Sequence, residues 1–350
     1  MNLEKVETFA GQVINEMGSA MTIAMAHIGN ELGLYKAMAG AGPLTSAGLA
    51  GKTGTHERYV REWLNQQAAG GYVTYDPAAG TYTLPEEHAM VLAQEDSPAF
   101  MAGGLRVGGA IWMSEDKLAD AFRTGKGIGW HEHHKHVHFG TEYFFRTGYR
   151  TNLTTNWIPA LDGVEAKLKK GAAVADVGCG HGASTIIMAA AYPNSAFWGS
   201  DYHDQSIETA RERAKEAGLS HRITFECASA KTYPARGYDL ICFMDCLHDL
   251  GDPLGAAKHA RESLAEDGAI LLVEPFAGDT IQENLHPLGK LFYAASTAFC
   301  TPNSLSQEVG TGLGAQAGEA TLRELFREAG FTRFRRATET PFNLILEARP

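Results

Sequence analysis

One segment constrains this chain more than any other: Val174-Ala175-Asp176-Val177-Gly178-Cys179-Gly180-His181-Gly182-Ala183-Ser184. A short apolar strand runs into a turn with glycine at every second position, and an apolar helical stretch follows to about Tyr192. Strand, glycine turn and helix in that order predict the opening of a parallel α/β unit. Further apolar strands are expected at 196–201, 223–227, 238–244 and 269–274, with helices at 206–217 and 253–264. After a helix at 322–329, two strands (331–335 and 342–348) follow each other directly, which predicts a closing antiparallel hairpin. The expected fold class is α/β, a doubly wound Rossmann-like sheet.

The turn also restricts the ligand. Its spacing is GxGxG, not the GxGxxG of dinucleotide sites. Asp176 lies just inside the strand, where a carboxylate repels a pyrophosphate but suits an ammonium group. A second acid, Asp201, ends the next strand, where a carboxylate can accept both hydroxyls of a ribose. With no phosphate clamp, the implied ligand is a nucleoside carrying a cationic tail. S-adenosylmethionine fits that description.

The stretch resembles the first motif of the class I S-adenosylmethionine-dependent methyltransferases, whose sheet ends in the same antiparallel hairpin. That resemblance implies a ribose contact at Asp201 with Tyr202 beside it, and a methionyl contact at Gly178, Cys179 and Gly180, near Asp176. It also implies adenine contacts at Ala228, Ser229 and Ala230, and a cofactor contact at Asp245.

A second motif follows the fourth strand: Met244-Asp245-Cys246-Leu247-His248-Asp249-Leu250-Gly251-Asp252-Pro253. It resembles the LHDW-type motif of plant and bacterial small-molecule O-methyltransferases, which carry an N-terminal winged-helix dimerisation domain. The resemblance implies that His248 takes the proton of a substrate hydroxyl, with Asp249 next to it. The sequence departs from the motif at Leu250, where the family usually has Trp, so the substrate pocket differs. Methyl transfer from a sulfonium is an in-line displacement in which positioning supplies much of the acceleration. A hydroxyl also needs its proton removed, and histidine titrates in the right range. Glu274 ends the fifth strand and can orient His248 or bind substrate.

Residues 1–100 form the expected winged-helix and dimerisation domain. Val6, Phe9, Val13, Met17, Met21 and Met25 recur at helical spacing, in a stripe wide enough to be buried on more than one side, and a partner subunit is one way to bury it. A short helix at about 43–51 follows, then a helix at 56–69 capped by Thr55, and strands at 72–75 and 81–84 around a turn at Asp76-Pro77. This zone has five Lys/Arg against eleven Asp/Glu, and the chain as a whole carries −11. Arg58 and Arg61 are flanked by Glu57 and Glu62, so the helix that would read DNA lacks a basic face. Nucleic acid is therefore not expected as a partner.

Residues 101–155 are expected as an aromatic and His-rich connecting or lid segment, and 156–350 as the cofactor-binding domain. His131 to His138 holds five histidines. As a strand it would set His134, His136 and His138 on one face, but no Cys or carboxylate completes a metal set there, and no metal is expected. Asn284, Asn303, Ser304 and Gln307 are expected in loops near the substrate. The segments around Trp157-Ile158-Pro159, Pro302-Asn303-Ser304, Gly314-Ala315-Gln316 and Thr340-Pro341-Phe342-Asn343 resemble bacterial winged-helix methyltransferases over nearly all 350 residues.

Five cysteines without a CxxC, no signal-like start and no long apolar run predict a cytosolic protein away from membranes. The expectation is a homodimeric enzyme acting on a small molecule, by O-methylation with His248 as base. S-methylation of a small thiol or sulfide, or an S-adenosylmethionine-responsive regulator, are the alternatives.

Overall fold

A computed structural model describes residues 1–350, which divide into two compact units. The first comprises residues 1–113 and 134–147, the second 114–133 and 148–350. The segment 101–155, expected as a separate connector, is thus shared out between the two. No helix is long and apolar enough to cross a membrane.

In the first unit the helix Leu3–Glu31 starts at Asn2, whose side chain accepts from the Lys5 amide at 3.2 Å. Its C-terminal third is packed. The Trp63 indole donates to the Met25 carbonyl at 2.9 Å, and Gly29 faces the same ring so closely that a Cβ would lie 2.4 Å from it. Its N-terminal two thirds leave Phe9, Val13, Ile14, Met17 and Met21 exposed. Helices Leu34–Met38, Ser46–Thr53 and Glu57–Ala69 enclose a core of Leu34, Tyr35, Met38, Leu49, Val60 and Leu64. Strands β1 (Thr74–Asp76) and β2 (Thr81–Thr83) pair as the expected hairpin.

The helix Glu57–Ala69 is capped by His56, not Thr55. The His56 imidazole accepts from the Arg58 amide at 3.3 Å, while the Thr55 hydroxyl bonds that of Thr53 at 2.8 Å. Arg58 pairs with Glu62 at 2.6 Å and Arg61 with Glu57 at 2.7 Å, so this helix neutralises its own cations.

The histidine run is not a strand. Trp130–Glu132 is a single 3-10 turn, and the helix Lys135–Gly148 begins with the His134 ring accepting from the His136 amide at 3.3 Å. Helix wins here because Gly140 lets this segment close on Ala102–Trp112. A Cβ on Gly103 would lie 2.4–2.8 Å from the backbone of Gly140, Tyr143 and Phe144.

The second unit is built on a seven-stranded sheet. Its strands are β3 (Ala173–Val177), β4 (Ala196–Asp201), β5 (Ile223–Cys227), β6 (Tyr238–Met244), β7 (Leu264–Pro275), β8 (Arg333–Glu339) and β9 (Asn343–Arg349). The order is β5-β4-β3-β6-β7-β9-β8, parallel except for β9, which runs antiparallel to both neighbours. The central strands are apolar on both faces, as helices on each side require. Ile241, Phe243, Ile270, Leu272, Leu344 and Leu346 are fully buried, each worth about 1.5–3 kcal/mol relative to exposure. After β3 the chain winds outward through β4 and β5, then crosses back to β6. The crevice at the carboxyl ends of β3 and β6 is therefore the topological switch point where open α/β sheets bind ligands.

Candidate active site

The turn after β3 explains its glycines. Gly178, Gly180 and Gly182 have φ of +72°, +51° and +77°, a region that favours glycine. Gly182 also abuts the Phe225 ring, and a Cβ there would lie 2.7 Å away. The amides in the turn are already engaged. Gly178 and Cys179 donate to the Ser200 carbonyl at 2.8 and 3.0 Å, Gly180 to Asp201 Oδ2 at 2.9 Å, and Gly182 to the Cys179 carbonyl at 2.9 Å. No cradle of free amides remains among these four for a phosphate. That donor set fits a nucleoside without phosphates.

Asp201 is held by two amides, Gly180 on one oxygen and His203 on the other at 2.9 Å, leaving further lone pairs for a diol. Tyr202 follows on the rim, half exposed, with its hydroxyl 3.4 Å from Asn303 Oδ1. Ala228, Ser229 and Ala230 follow β5, and the Ala228 amide donates to the Asp201 carbonyl at 3.0 Å. These residues thus gather at the carboxyl ends of β3, β4 and β5.

Two expected cofactor residues differ in detail. Asp176 is fully buried. Its Oδ2 accepts from the Ser184 and Thr185 hydroxyls, both at 2.6 Å, while Oδ1 is left without a hydrogen bond. Burial raises its carboxyl to about 6, against the pull of those hydroxyls, so it is largely ionised at neutral pH beneath the glycine turn. Cys179 is also buried, its thiol turned toward Gly199 on β4. What Cys179 offers the crevice is backbone.

Beyond β6, Asp245 takes a left-handed conformation (φ 52°), rare outside glycine and a mark of local strain. It is fixed by the Asn343 amide at 2.6 Å and the Tyr149 hydroxyl at 3.1 Å. Burial, reinforced by Glu274, pushes its carboxyl up to about 8.

This bend delivers Leu247–Asp249 as a 3-10 turn over the end of β7. Glu274 Oε2 lies 2.6 Å from His248 Nδ1, and Glu274 Oε1 accepts from the Leu247 amide at 3.1 Å. Both side chains are almost wholly buried. Burial works to lower the His248 pKa, but the Glu274 and Asp249 carboxylates overcome it and hold the imidazole well above its usual range. Asp249 Oδ1 is 3.2 Å from His248 Nε2.

Sequence reasoning missed what braces this turn. Asn303 and Ser304 lie on the helix Thr301–Ser306, and Gln307 caps it, rather than in a loop. Their side chains hold the turn's carbonyls: Ser304 donates to Leu250 at 2.7 Å, Gln307 to Asp249 at 3.0 Å, and Asn303 to Asp249 at 3.3 Å. Asn284, on a 3-10 turn, bonds Gly278 and Thr280 instead. The dense amide and hydroxyl run at 303–307 was the available signal.

Residues 19–94 match a family described as an Rv2258c-like winged helix-turn-helix domain, and residues 168–330 match the methyltransferase domain family. The chain thus carries a winged-helix domain and a methyltransferase domain of the class I S-adenosylmethionine-dependent fold. It is 27% identical to the O-demethylpuromycin-O-methyltransferase of Streptomyces alboniger over 297 residues, 79% of this chain and 72% of that one. It is 30% identical to the 27-O-demethylrifamycin SV methyltransferase of Amycolatopsis mediterranei over 107 residues, 30% of this chain and only 39% of that relative. Human N-acetylserotonin methyltransferase, solved with S-adenosylmethionine, superposes with a TM-score of 0.72 over 97% of each chain at 19% identity, which establishes a shared fold. The cofactor of this methyltransferase is S-adenosylmethionine, in keeping with a donor set that fits a nucleoside.

Proposed function

We propose that this methyltransferase methylates a hydroxyl of a small organic molecule, with His248 as the general base. The observation that carries the reading is the buried Glu274–His248 pair at the carboxyl end of the central strands. O-methylation is also what the names of the two bacterial relatives describe for those proteins. When bound, S-adenosylmethionine supplies a methyl group on a positively charged sulfur. Asp201 would hold its ribose, Ala228 to Ala230 would flank its base, and the ionised Asp176 would favour its cationic tail.

The protein's own part is to orient the acceptor and move one proton. In the neutral ring Glu274 keeps the imidazole proton on Nδ1, leaving Nε2 as the atom that accepts from a hydroxyl. Glu274 acts through His248, so it is a positioning residue. Asp249, beside Nε2, stabilises the imidazolium once the proton has moved. General-base help of this kind contributes about 10²–10⁴ in rate.

The exposed apolar face of the helix Leu3–Glu31 supports a homodimer, since a second copy would cover it. The free state of all five cysteines supports a cytosolic setting.

Turnover of labelled S-adenosylmethionine with phenols, amines and small thiols tests the reading, using wild type and His248→Ala. Phenol turnover lost in the variant is the expected result. Thiol turnover that survives the substitution would overturn it in favour of S-methylation. Cofactor binding without turnover, together with a shifted band on genomic DNA, would favour a regulator.

A further inference from the structure

Within the second unit, one group of side chains has a chemistry that proton transfer does not use. Cys300 ends a π-helical turn, Ser296–Cys300, and its thiol is buried beside His248 and Asp249. One ligand atom from each of His248, Asp249 and Cys300 lies within 4.8 Å of the others. Histidine nitrogen, carboxylate oxygen and cysteine sulfur form a mixed set suited to zinc.

We propose that His248 Nε2, Asp249 Oδ1 and Cys300 Sγ form a binding site for a thiophilic divalent cation, zinc by its chemistry, which blocks the base when occupied. Three features support it. First, tetrahedral bonds of about 2.0–2.3 Å place ligand atoms about 3.3–3.6 Å apart. His248 Nε2 and Asp249 Oδ1, at 3.2 Å, already stand at that spacing. The sulfur need close by only about 1 Å, which a side-chain rotation supplies. Second, Asp249 Oδ1 is buried and the polar groups facing this carboxylate are the other two proposed ligands, His248 Nε2 at 3.2 Å and the Cys300 thiol, so coordination breaks no contact outside the set. Third, metal-bound histidines usually give their other ring N–H to a carboxylate, which fixes the tautomer and raises basicity. Glu274 at 2.6 Å from Nδ1 is that carboxylate.

Three protein ligands leave the fourth position of a tetrahedral ion open. Binding displaces the thiol proton of Cys300 and any proton on Nε2 to solvent. The ion then occupies the lone pair that would accept the substrate proton. The site itself stands on geometry, while its inhibitory effect rests on the proposed role of His248.

Cobalt(II), a spectroscopic stand-in for zinc, tests the site on full-length protein freed of metal by chelation. The expected result is one equivalent bound with a near-ultraviolet thiolate-to-cobalt band, displaced by zinc. Cys300→Ser should remove the band and weaken zinc at least 100-fold. Glu274→Gln should keep the band and weaken zinc 10–100-fold. His136→Ala should change neither, although His27 and His134 each meet His136 edge-to-face in the first unit. A bound ion without the thiolate band, or a zinc affinity unchanged in Cys300→Ser, overturns the proposal. So does binding abolished in His136→Ala, which marks an adventitious histidine site. If cobalt binds with the band but zinc at saturation leaves methyl transfer intact, the blocking role fails and His248 is not the base. If zinc does not bind but turnover still requires His248, the metal proposal alone fails.

Discussion

Replacing Glu274 by glutamine should abolish most of the base catalysis while barely altering shape. Two donors converge on this carboxylate: the Leu247 amide on Oε1 at 3.1 Å and His248 Nδ1 on Oε2 at 2.6 Å. Glutamine offers one acceptor and one donor. If its oxygen stays on the Leu247 amide, its NH₂ faces Nδ1, and the ring proton must move to Nε2, the atom that has to accept. If its oxygen faces Nδ1 instead, the buried Leu247 amide is left against a donor, at about 1–3 kcal/mol. The first arrangement keeps the backbone satisfied and is the one expected. The loss should therefore approach the whole general-base contribution, about 10²–10⁴ in kcat, or about 3–5 kcal/mol of barrier. Removing the carboxylate also removes the larger of the two carboxylate influences that hold the imidazole above its usual range, so the rising limb of the residual pH–rate profile should move to lower pH. Steady-state methyl transfer with labelled cofactor, from pH 6 to 10, measures both. Cofactor affinity by calorimetry should stay within about threefold of wild type, an expectation drawn from the separation of Glu274 from the glycine turn. A kcat within threefold of wild type and an unmoved pH profile would refute the assignment.

Other outcomes follow from the same geometry. Gly182→Ala should destabilise the protein by about 2–5 kcal/mol in chemical denaturation, since the new Cβ combines φ +77° with a 2.7 Å approach to Phe225. Gly180→Ala, with no atom within 4 Å of its Cβ, should cost only about 1–2 kcal/mol. Affinity for S-adenosylmethionine, measured by calorimetry, should hold above pH 6 and fall below it. Asp176, raised to about 6, loses its negative charge there, and the cation loses an attraction. In Asp176→Asn that pH step should vanish. Met17→Glu with Phe9→Glu should shift the species seen in analytical ultracentrifugation from dimer to monomer, because both side chains lie on the exposed apolar face.

Much of the sheet was legible because its strands are apolar runs bounded by turn residues. The segments 196–201, 223–227 and 238–244 were bounded to the residue, and the antiparallel closure by β8 and β9 followed from two strands without a helix between them. The segment 101–155 was not legible. Gly103, Gly104, Gly108 and Gly109 lower intrinsic helix propensity, yet Ala102–Trp112 is helical, and at Gly103 and Gly104 the absent side chains permit a close crossing with Lys135–Gly148. At the site, the strand-end positions of the glycine turn, Asp201, His248 and Glu274 were legible, while the choice between orienting His248 and binding substrate stayed open for Glu274. Asp176 was expected beside a cationic ligand group; that its carboxylate also anchors the Ser184 and Thr185 hydroxyls was not read from the sequence. Cys300 went unnoticed because its neighbour His248 is fifty-two positions away in the chain, a distance that no local pattern bridges.

The π-helical turn at Ser296–Cys300 makes chain length itself a determinant of the base's position. Such a turn holds one residue more than an α-helical path would. Inserting a further residue there would exceed what one such turn absorbs, rotating everything after it by about 100° and advancing it by about 1.5 Å. Asn303 and Ser304 would swing off the carbonyls of Asp249 and Leu250 that they now hold. A one-codon insertion, far along the gene from His248 and touching no crevice residue, would unseat the turn that carries it. Among related sequences, the count of residues between β7 and the helix Thr301–Ser306 should therefore tolerate less variation than their identities.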